Sequence, residues 1–151
     1  MGFEQISLKG RALRYLAGRE HSRLELTRKL APHEAHPGEI EAVLDELQAK
    51  GYISEARVAA SVVHRRAPKL GTARVRQELQ SRGLPPELVA QTVAELRQSE
   101  QARAQDVWRR KFDAPPQNPQ ETVKQMRFLI SRGFAPDVVR RVVAAAGQTD
   151  D

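Results

Sequence analysis

The histidine residues are the first candidates for chemistry in this sequence. His33 and His36 flank Glu34, a pattern close to the zinc-binding helices of metalloproteases, where two histidines four residues apart share one helix face. Here the spacing is one residue shorter, and Pro32 and Pro37 bracket the segment. Because proline interrupts a helix, we expect this segment to be an exposed loop that binds no metal.

The rest of the sequence contains no pattern typical of a catalytic site. His21 and His64 stand beside arginine or serine residues, and we expect both to be solvated. A glycine-rich phosphate loop, a nucleophile elbow, a carboxylate dyad and a dinucleotide fingerprint are all missing. The chain has no cysteine, which excludes disulfides and thiol catalysis and suits the cytoplasm. We predict a cytoplasmic protein that is not an enzyme and uses no cofactor.

Basic residues are the main candidates for binding a partner. The chain carries 25 Lys and Arg against 19 Asp and Glu, a net charge of +6. Residues 56–77 contain no acid but six bases: Arg57, Arg65, Arg66, Lys69, Arg74 and Arg76. Such a block attracts a polyanion or an acidic protein surface over long distances, although a solvated helix face has the same composition.

Helices must position these residues, because the periodic segments space their apolar side chains for a helix and none alternates as a strand does. Helix start signals support this prediction. Ser22 and Glu25 can form a capping box, and Asn118, Pro119 and Glu121 are typical of another helix start. No apolar run is long enough to cross a membrane. The predicted fold class is therefore all-α.

An internal repeat sets the predicted organisation. The segment at 79–89 returns fifty residues later at 129–139, and a weaker copy lies upstream at an offset of 49. Self-similarity at a fixed period is typical of arrays in which each unit packs on its neighbours. We predict three tandem three-helix (helix-turn-helix-like) repeats in an elongated, curved array, with boundaries 8–53, 54–97 and 98–146. Residues 1–7 and 147–151 are predicted to be flexible termini.

The two clear copies share one turn. Gly83 and Gly133 each follow Ser-Arg and precede an apolar residue, so we expect both at positive φ between two helices. Arg82 and Arg132 then lie at helix C-termini, where the helix dipole stabilises a cation. This structural role is one interpretation of both arginines, and binding of a partner is the other. A helix from Pro86 to about residue 97 is predicted to close the second repeat, and a separate helix opens the third.

Four segments taken in order resemble the bacterial RecX family of regulatory proteins. They are Leu47–Ser54, the pair Arg65-Arg66, Gly71–Leu84 and Phe128–Val139. The resemblance spans about residues 10–145. One departure lies after Ile53, where the family usually has an Asp and then an aromatic residue. This chain has Ser54-Glu55-Ala56-Arg57-Val58-Ala59 there, so Glu55 stands for the acid and Val58 fills the aromatic position with a smaller side chain.

The resemblance implies a partner and a function. It implies three tandem three-helix repeats in a curved array that binds the RecA recombinase filament within its helical groove. It also implies that the protein restrains filament growth, ATP hydrolysis, strand exchange and the coprotease role in the SOS response. We expect a monomer with no membrane contact. Single-stranded or duplex DNA is a further candidate partner.

We place the partner-binding residues on the basic block and its extension. The candidates are Arg57, Arg65, Arg66, Lys69, Arg74, Arg76, Arg82, Arg132, Arg140 and Arg141. We expect that replacing Arg65, Arg66, Lys69, Arg74 and Arg76 with Glu abolishes inhibition and leaves thermal stability nearly intact.

The alternative is a stand-alone helix-turn-helix-like protein that binds nucleic acid through the same basic face. Against it, aromatic residues such as Tyr52 and Trp108 mostly fall on predicted apolar stripes, which leaves few rings for base stacking.

Overall fold

The computed structural model describes residues 6–148, and within them the fold is all-α as predicted. The segments predicted to be flexible termini lie largely outside this range, at residues 1–5 and 149–151. Residues 6–148 form eight α-helices and one short 3-10 helix at Ala31–His33. The α-helices are α1 (Leu8–Gly18), α2 (Arg23–Leu30), α3 (Glu39–Ala49), α4 (Glu55–Arg66), α5 (Thr72–Ser81), α6 (Pro86–Lys111), α7 (Pro119–Ser131) and α8 (Pro136–Ala146).

The predicted helix starts are confirmed at atomic detail. At α2 the Ser22 hydroxyl accepts from the Glu25 amide, while the Glu25 carboxylate accepts from the Ser22 amide. At α7 the Asn118 side chain accepts from the Glu121 amide at 2.8 Å. These contacts satisfy amides that have no partner within the helix, so local sequence alone fixes where both helices begin.

Each repeat has its own small hydrophobic core. α1, α2 and α3 enclose a cluster that includes Leu26, Leu30 and Leu44. α4, α5 and the first half of α6 enclose Val62, Val75, Leu79 and their neighbours. The second half of α6 packs with α7 and α8 around a third cluster. Three separate cores along the chain make this an array of units.

The long helix α6 differs from the prediction. It runs without a break for 26 residues, so the helix that closes the second repeat is also the helix that opens the third. The segment between Leu96 and Ala104 contains no glycine or proline to end a helix. Glu100 and Arg103 interrupt the apolar stripe there, but the helix continues through both. At 1.5 Å per residue, α6 is a rod of about 39 Å that joins two repeats.

The whole molecule exposes more surface than a compact protein of its mass. Its accessible surface is 9722 Å². A compact monomer of 16.9 kDa is expected to expose about 7,700 Å². The excess agrees with an elongated array of three small cores. In residues 6–148 no helix combines the length and the apolar composition needed to span a membrane.

Candidate partner-binding surface

The glycine turns join one repeat to the next. Gly83 has φ +70° and lies against Leu24, so a Cβ at Gly83 would be 2.5 Å from the Leu24 Cδ2 atom. Gly133 has φ +95°, and a Cβ there would be 2.9 Å from the Arg74 amide nitrogen. In both cases the turn after the second helix of a repeat sits on the start of the second helix of the preceding repeat. We call the contact between the first and second repeats joint 1, and the contact between the second and third repeats joint 2.

Joint 1 is held by a chain of ion pairs. Arg82 donates to Glu25 at 2.9 Å, Arg19 donates to the same carboxylate at 2.6 Å, and Arg66 donates to Glu78 at 3.0 Å. A longer contact of 3.8 Å between Arg82 and Glu78 connects the two parts of the chain. The Arg82 side chain is only 16% exposed, so these pairs are shielded better than ordinary surface pairs.

The Glu25 carboxyl is the electrostatic centre of joint 1. Partial burial acts to raise its pKa, but four other contributions outweigh that effect. They are the hydrogen bonds from Arg19, from the Ser22 amide and from Arg82, together with the positive charge of Arg82. The result lowers the pKa of Glu25 to about 2.

Three further hydrogen bonds cross joint 1. The Arg57 guanidinium donates to Glu20 at 2.8 Å and to the Gly51 carbonyl at 2.7 Å. The Glu55 carboxylate accepts from the Arg23 amide at 3.0 Å. Arg57 and Arg82, two of the predicted partner-binding residues, therefore bind other parts of the same chain.

Joint 2 is built mainly from backbone. Gly71 and Gly133 are in such close contact that a Cβ on Gly71 would overlap the Gly133 carbonyl group. This approach allows the Gly71 amide to donate to the Arg132 carbonyl at 2.8 Å and the Ala73 amide to donate to the Gly133 carbonyl at 3.3 Å. The Arg74 guanidinium donates to the Ser131 carbonyl at 2.8 Å. A glycine is thus required at the start of α5, where a side-chain cap would otherwise stand.

Two charged residues of α6, the buried Glu100 and the half-buried Arg103, bind the start of α5. The Glu100 carboxylate accepts from the Thr72 amide at 2.9 Å and so caps α5 from another helix. Arg103 donates to the carbonyls of Ala67, Leu70 and Leu96 and to the hydroxyls of Ser99 and Thr72. Burial lowers the pKa of Arg103, and the Glu100 charge opposes that effect. The sequence prediction missed both residues, and their only signal was the interrupted apolar stripe.

A basic cleft opens beside joint 2. It has a volume of about 480 Å³ and lies between the end of α4, the end of α6 and α7. We define the basic cleft by its lining residues: Arg66, Lys69, Leu70, Val107, Arg110, Lys111, Phe128 and Arg132. Five of these eight side chains are cationic and none is acidic.

The Phe128 ring organises one wall of this cleft. The Arg132 Cζ atom lies 4.8 Å from the ring centroid and the Lys111 Nζ atom lies 5.3 Å from it. Cations near an aromatic face are attracted to its negative quadrupole, so the ring holds both charges in place. The edge-on packing of Phe112 at 5.5 Å fixes the ring in turn.

Comparisons with known proteins decide the family. Models of the first, second and third three-helix domains of RecX match residues 9–47, 54–93 and 98–143. The regulatory protein RecX of Leptothrix cholodnii is 58% identical over 97% of this chain and 94% of its own length. This chain belongs to the RecX family. The regulatory protein RecX of Ralstonia nicotianae is 49% identical over 95% of this chain and 90% of its own length.

Solved structures agree on the RecX fold. The crystal structure of RecX from Lactobacillus salivarius has a TM-score of 0.80 and 16% identity, and covers 93% of this chain and 95% of that one. A second crystal structure of regulatory protein RecX has a TM-score of 0.72 and 20% identity, over 89% of this chain and 70% of that one. Each range matched by a RecX domain model lies inside one predicted repeat, while the boundaries that we assigned stay predictions.

The basic cleft of this RecX-family chain unites only some of the predicted residues. Arg66, Lys69 and Arg132 line it together, and the structure adds Arg110 and Lys111, which were not among the candidates. Sequence signal for the last two existed, because they follow Trp108 as part of a run of three bases.

The other predicted residues lie elsewhere. Arg76 lines a different cleft together with Arg97. Arg141 pairs with Asp137 at 3.1 Å in α8. Arg65 and Arg140 are exposed, and neither has an ion-pair partner among residues 6–148. The basic residues therefore do not form one continuous patch.

The expected stability of the charge-reversed variants must be corrected for two positions. Arg66 holds Glu78, and Arg74 contacts the Ser131 carbonyl across joint 2. Replacing either with Glu removes a contact that positions a neighbouring helix, so these variants do not isolate partner binding from stability.

The predictions for His21, expected to be solvated, and for Tyr52, expected on an apolar stripe, also need correction. His21 is only 2% exposed, and its ring nitrogens lie 3.0 Å from the Arg19 carbonyl and 2.9 Å from the Lys29 Nζ atom. Burial is the main cause that lowers its pKa. The neighbours of His21 in sequence are polar and gave no sign of burial. The turn between α1 and α2 places the His21 ring against Tyr15, with 5.7 Å between the ring centroids. Tyr52 is 52% exposed and does not belong to an apolar stripe.

Proposed function

We propose that this protein binds the RecA recombinase filament on single-stranded DNA and restrains its ATP hydrolysis, strand exchange and coprotease activity. The observation that carries the proposal is its membership of the RecX family over nearly its full length, with 58% identity to a protein named regulatory protein RecX. RecA as the partner comes from the family resemblance. In this proposal the protein acts in the cytoplasm as a monomeric regulator without catalysis or a cofactor.

The physical mechanism that we propose is bridging. A filament repeats the same surface at regular intervals, and an array of similar units presents similar faces at intervals of its own. The rod α6 sets the distance between the second and third repeats. Several weak contacts made by one connected array reinforce each other, because the first contact raises the effective concentration for the next.

The test is addition of the purified protein to preformed RecA filaments on single-stranded DNA while ATP turnover is monitored. We expect turnover to fall with the native protein. The double variant Lys111→Glu with Arg132→Glu should inhibit at least about tenfold less well, because it reverses two cations of the basic cleft. The matched control is Arg14→Glu with Arg28→Glu, which changes net charge equally at exposed positions in the first repeat. ATP turnover unchanged by the native protein would refute the proposal.

The alternative function, direct binding of nucleic acid, would use the positive charge of the same basic cleft. A mobility-shift titration with DNA alone, run beside the ATPase assay, separates the two. DNA binding at concentrations far below those needed for inhibition would favour the alternative. Inhibition at concentrations where DNA alone does not bind would favour RecA as the partner.

A further inference from the structure

Arg82 and Arg132 occupy equivalent positions fifty residues apart but have different surroundings. The Arg82 side chain is 16% exposed and lies between the carboxylates of Glu25 and Glu78, at 2.9 Å and 3.8 Å. Arg132 is exposed, and in the described part of the chain no carboxylate lies within ion-pair distance of it. At this position of the repeat, the arginine at joint 1 has two carboxylates beside it, and the arginine at joint 2 has none within the described residues.

The repeat register explains this difference. At an offset of 49 the counterpart of Glu25 is Arg74, and at an offset of 50 the counterpart of Glu78 is Phe128. Both carboxylates that hold Arg82 have thus been replaced, one by a cation and one by an apolar ring. Arg74 repels Arg132 instead of pairing with it, and its own guanidinium donates to the Ser131 carbonyl. Arg132 consequently turns towards the Phe128 ring and lines the basic cleft.

The basic cleft concentrates further positive charge around Arg132. Lys69, Arg110 and Lys111 also line it, and within residues 6–148 none of these three has an ion-pair partner. Arg66 is the one lining cation that forms an ion pair within the described part of the chain, and its partner is Glu78. Between these charges the side chains of Leu70, Val107 and Phe128 provide an apolar surface. Like charges held this close together favour an anion that neutralises them.

We propose that the basic cleft binds a short acidic segment of a protein partner, whose carboxylates take the places that Glu25 and Glu78 fill at joint 1. Joint 1 is the precedent, because it shows the ligand that this arginine position takes in the same chain. The planar fork of an arginine matches a carboxylate in two parallel hydrogen bonds. The apolar residues of the cleft contact the aliphatic part of such a segment.

The same geometry disfavours single-stranded nucleic acid as the occupant. Sequence-tolerant binding of single strands depends on bases that stack on aromatic faces. In the basic cleft, Phe128 is the aromatic lining residue, and Arg132 and Lys111 already lie 4.8 Å and 5.3 Å from its centroid. A base would have to displace a cation to stack there, whereas a carboxylate binds to the cations as they stand.

The experiment is direct titration of the full chain with a short synthetic peptide that alternates Glu and Leu. The matched peptide has Gln in place of Glu, and an oligothymidylate of equal charge serves as the nucleic-acid probe. The single tryptophan reports binding, because the Trp108 ring lies 6.3 Å from Phe112, which packs edge-on against Phe128. We expect the Glu peptide to bind, the Gln peptide to bind at least about tenfold more weakly, and added salt to weaken binding.

Variants assign the binding to the basic cleft. Lys111→Ala with Arg132→Ala should weaken binding of the Glu peptide at least about tenfold, because two charge-assisted contacts are lost. The control Arg14→Ala with Arg28→Ala should leave it unchanged. Calorimetry on each variant checks that it remains folded.

Three results would overturn the inference. They are unchanged peptide affinity in the Lys111 and Arg132 double variant, equal affinity for the Glu and Gln peptides, and tighter binding of the oligothymidylate than of the Glu peptide. The inference rests on the proposed function only for the identity of the partner. Peptide binding without any effect on RecA filaments would refute the proposed function and support the acidic-segment site in the basic cleft. Inhibition of RecA without peptide binding would support the proposed function and refute that site.

Discussion

At the scale of single residues, the role of an arginine in this protein depends on what meets it across a joint. Arg82 and Arg132 share a local sequence, Ser-Arg-Gly, and both end a helix. Arg82 is locked by acids of two helices, whereas Arg132 faces a cleft lined with other cations. Arg103 shows a third outcome, because every donor of its guanidinium is used by carbonyl or hydroxyl groups of the protein.

Glu25 predicts how joint 1 responds to acid. Its pKa is about 2 in the folded protein against an ordinary value of 4.5, so the folded state binds the proton less readily than the unfolded state. The stability that Glu25 contributes is therefore complete above pH 4.5 and is lost as pH falls towards 2. Glu25→Gln should melt at a lower temperature than the native protein near neutral pH, and the difference should shrink over this acidic range.

The measurement is thermal unfolding followed by circular dichroism at a series of pH values. Glu95→Gln is the control, because Glu95 is exposed on α6 and forms no ion pair with residues 6–148. A Glu25→Gln protein whose melting temperature differs from that of the native chain by the same amount at every pH would contradict the assignment.

At the scale of helices, the turns that follow α5 and α7 connect each repeat to the one before it. Each glycine turn that closes a second helix is also the surface that docks on the preceding repeat. At joint 2 this requires two glycines, Gly71 and Gly133, because the backbones approach too closely for a side chain. Because Gly71 has no side chain to cap α5, the Glu100 carboxylate of α6 accepts from the Thr72 amide instead.

Gly71→Ala tests the close approach at joint 2. Its Cβ would overlap the Gly133 carbonyl group, which is backbone and cannot move aside without shifting α7. We expect a loss of about 1–3 kcal/mol in the free energy of unfolding, as for other overpacked sites, measured by urea denaturation. Gly18→Ala is the matched control, since nothing lies within 4 Å of a Cβ there. Equal stability of the two variants would show that the repeats do not meet at this contact.

At the scale of the whole molecule, α6 makes the second and third repeats one connected body. Its first half packs with α4 and α5, and its second half packs with α7 and α8. The first repeat is attached differently, through the Gly83 turn and a chain of ion pairs. The spacing between the second and third repeats is therefore set by the continuous helix α6. The spacing between the first and second repeats is set by the side-chain and turn contacts of joint 1.

Gln98→Pro tests the rod. Gln98 is exposed near the middle of α6, and proline in a helix interior costs about 3 kcal/mol and kinks the helix. We expect small-angle X-ray scattering to show an altered particle shape and RecA inhibition to fall, while circular dichroism keeps most of the helical signal. Gln98→Ala is the control and should behave as the native protein. Full inhibition by a kinked Gln98→Pro protein would show that the filament does not depend on the spacing set by α6.

The sequence by itself determined the parts of this protein that depend on local chemistry. Helix starts at Ser22 and Asn118 follow from capping groups within a few residues, and the positive φ of Gly83 and Gly133 follows from the turn that they close. The fixed period of the repeat predicted the array, and the ordered motifs predicted the family. All of these signals lie within one short window or recur at one constant spacing.

The tertiary structure decided how the repeats meet and which charges remain available. Near Arg82 and Arg132 the sequence differs in the residue four positions before each, which is Glu78 or Phe128. The closest acid to Arg82, Glu25, lies 57 residues away, and the other cations around Arg132 lie at the ends of α4 and α6. The burial of Glu100 and the hydrogen bonds of Arg103 likewise depend on the loop that packs on α6. An ion pair or a cleft exists only when two distant surfaces are brought together, and local periodicity carries no information about which side chains will then face each other.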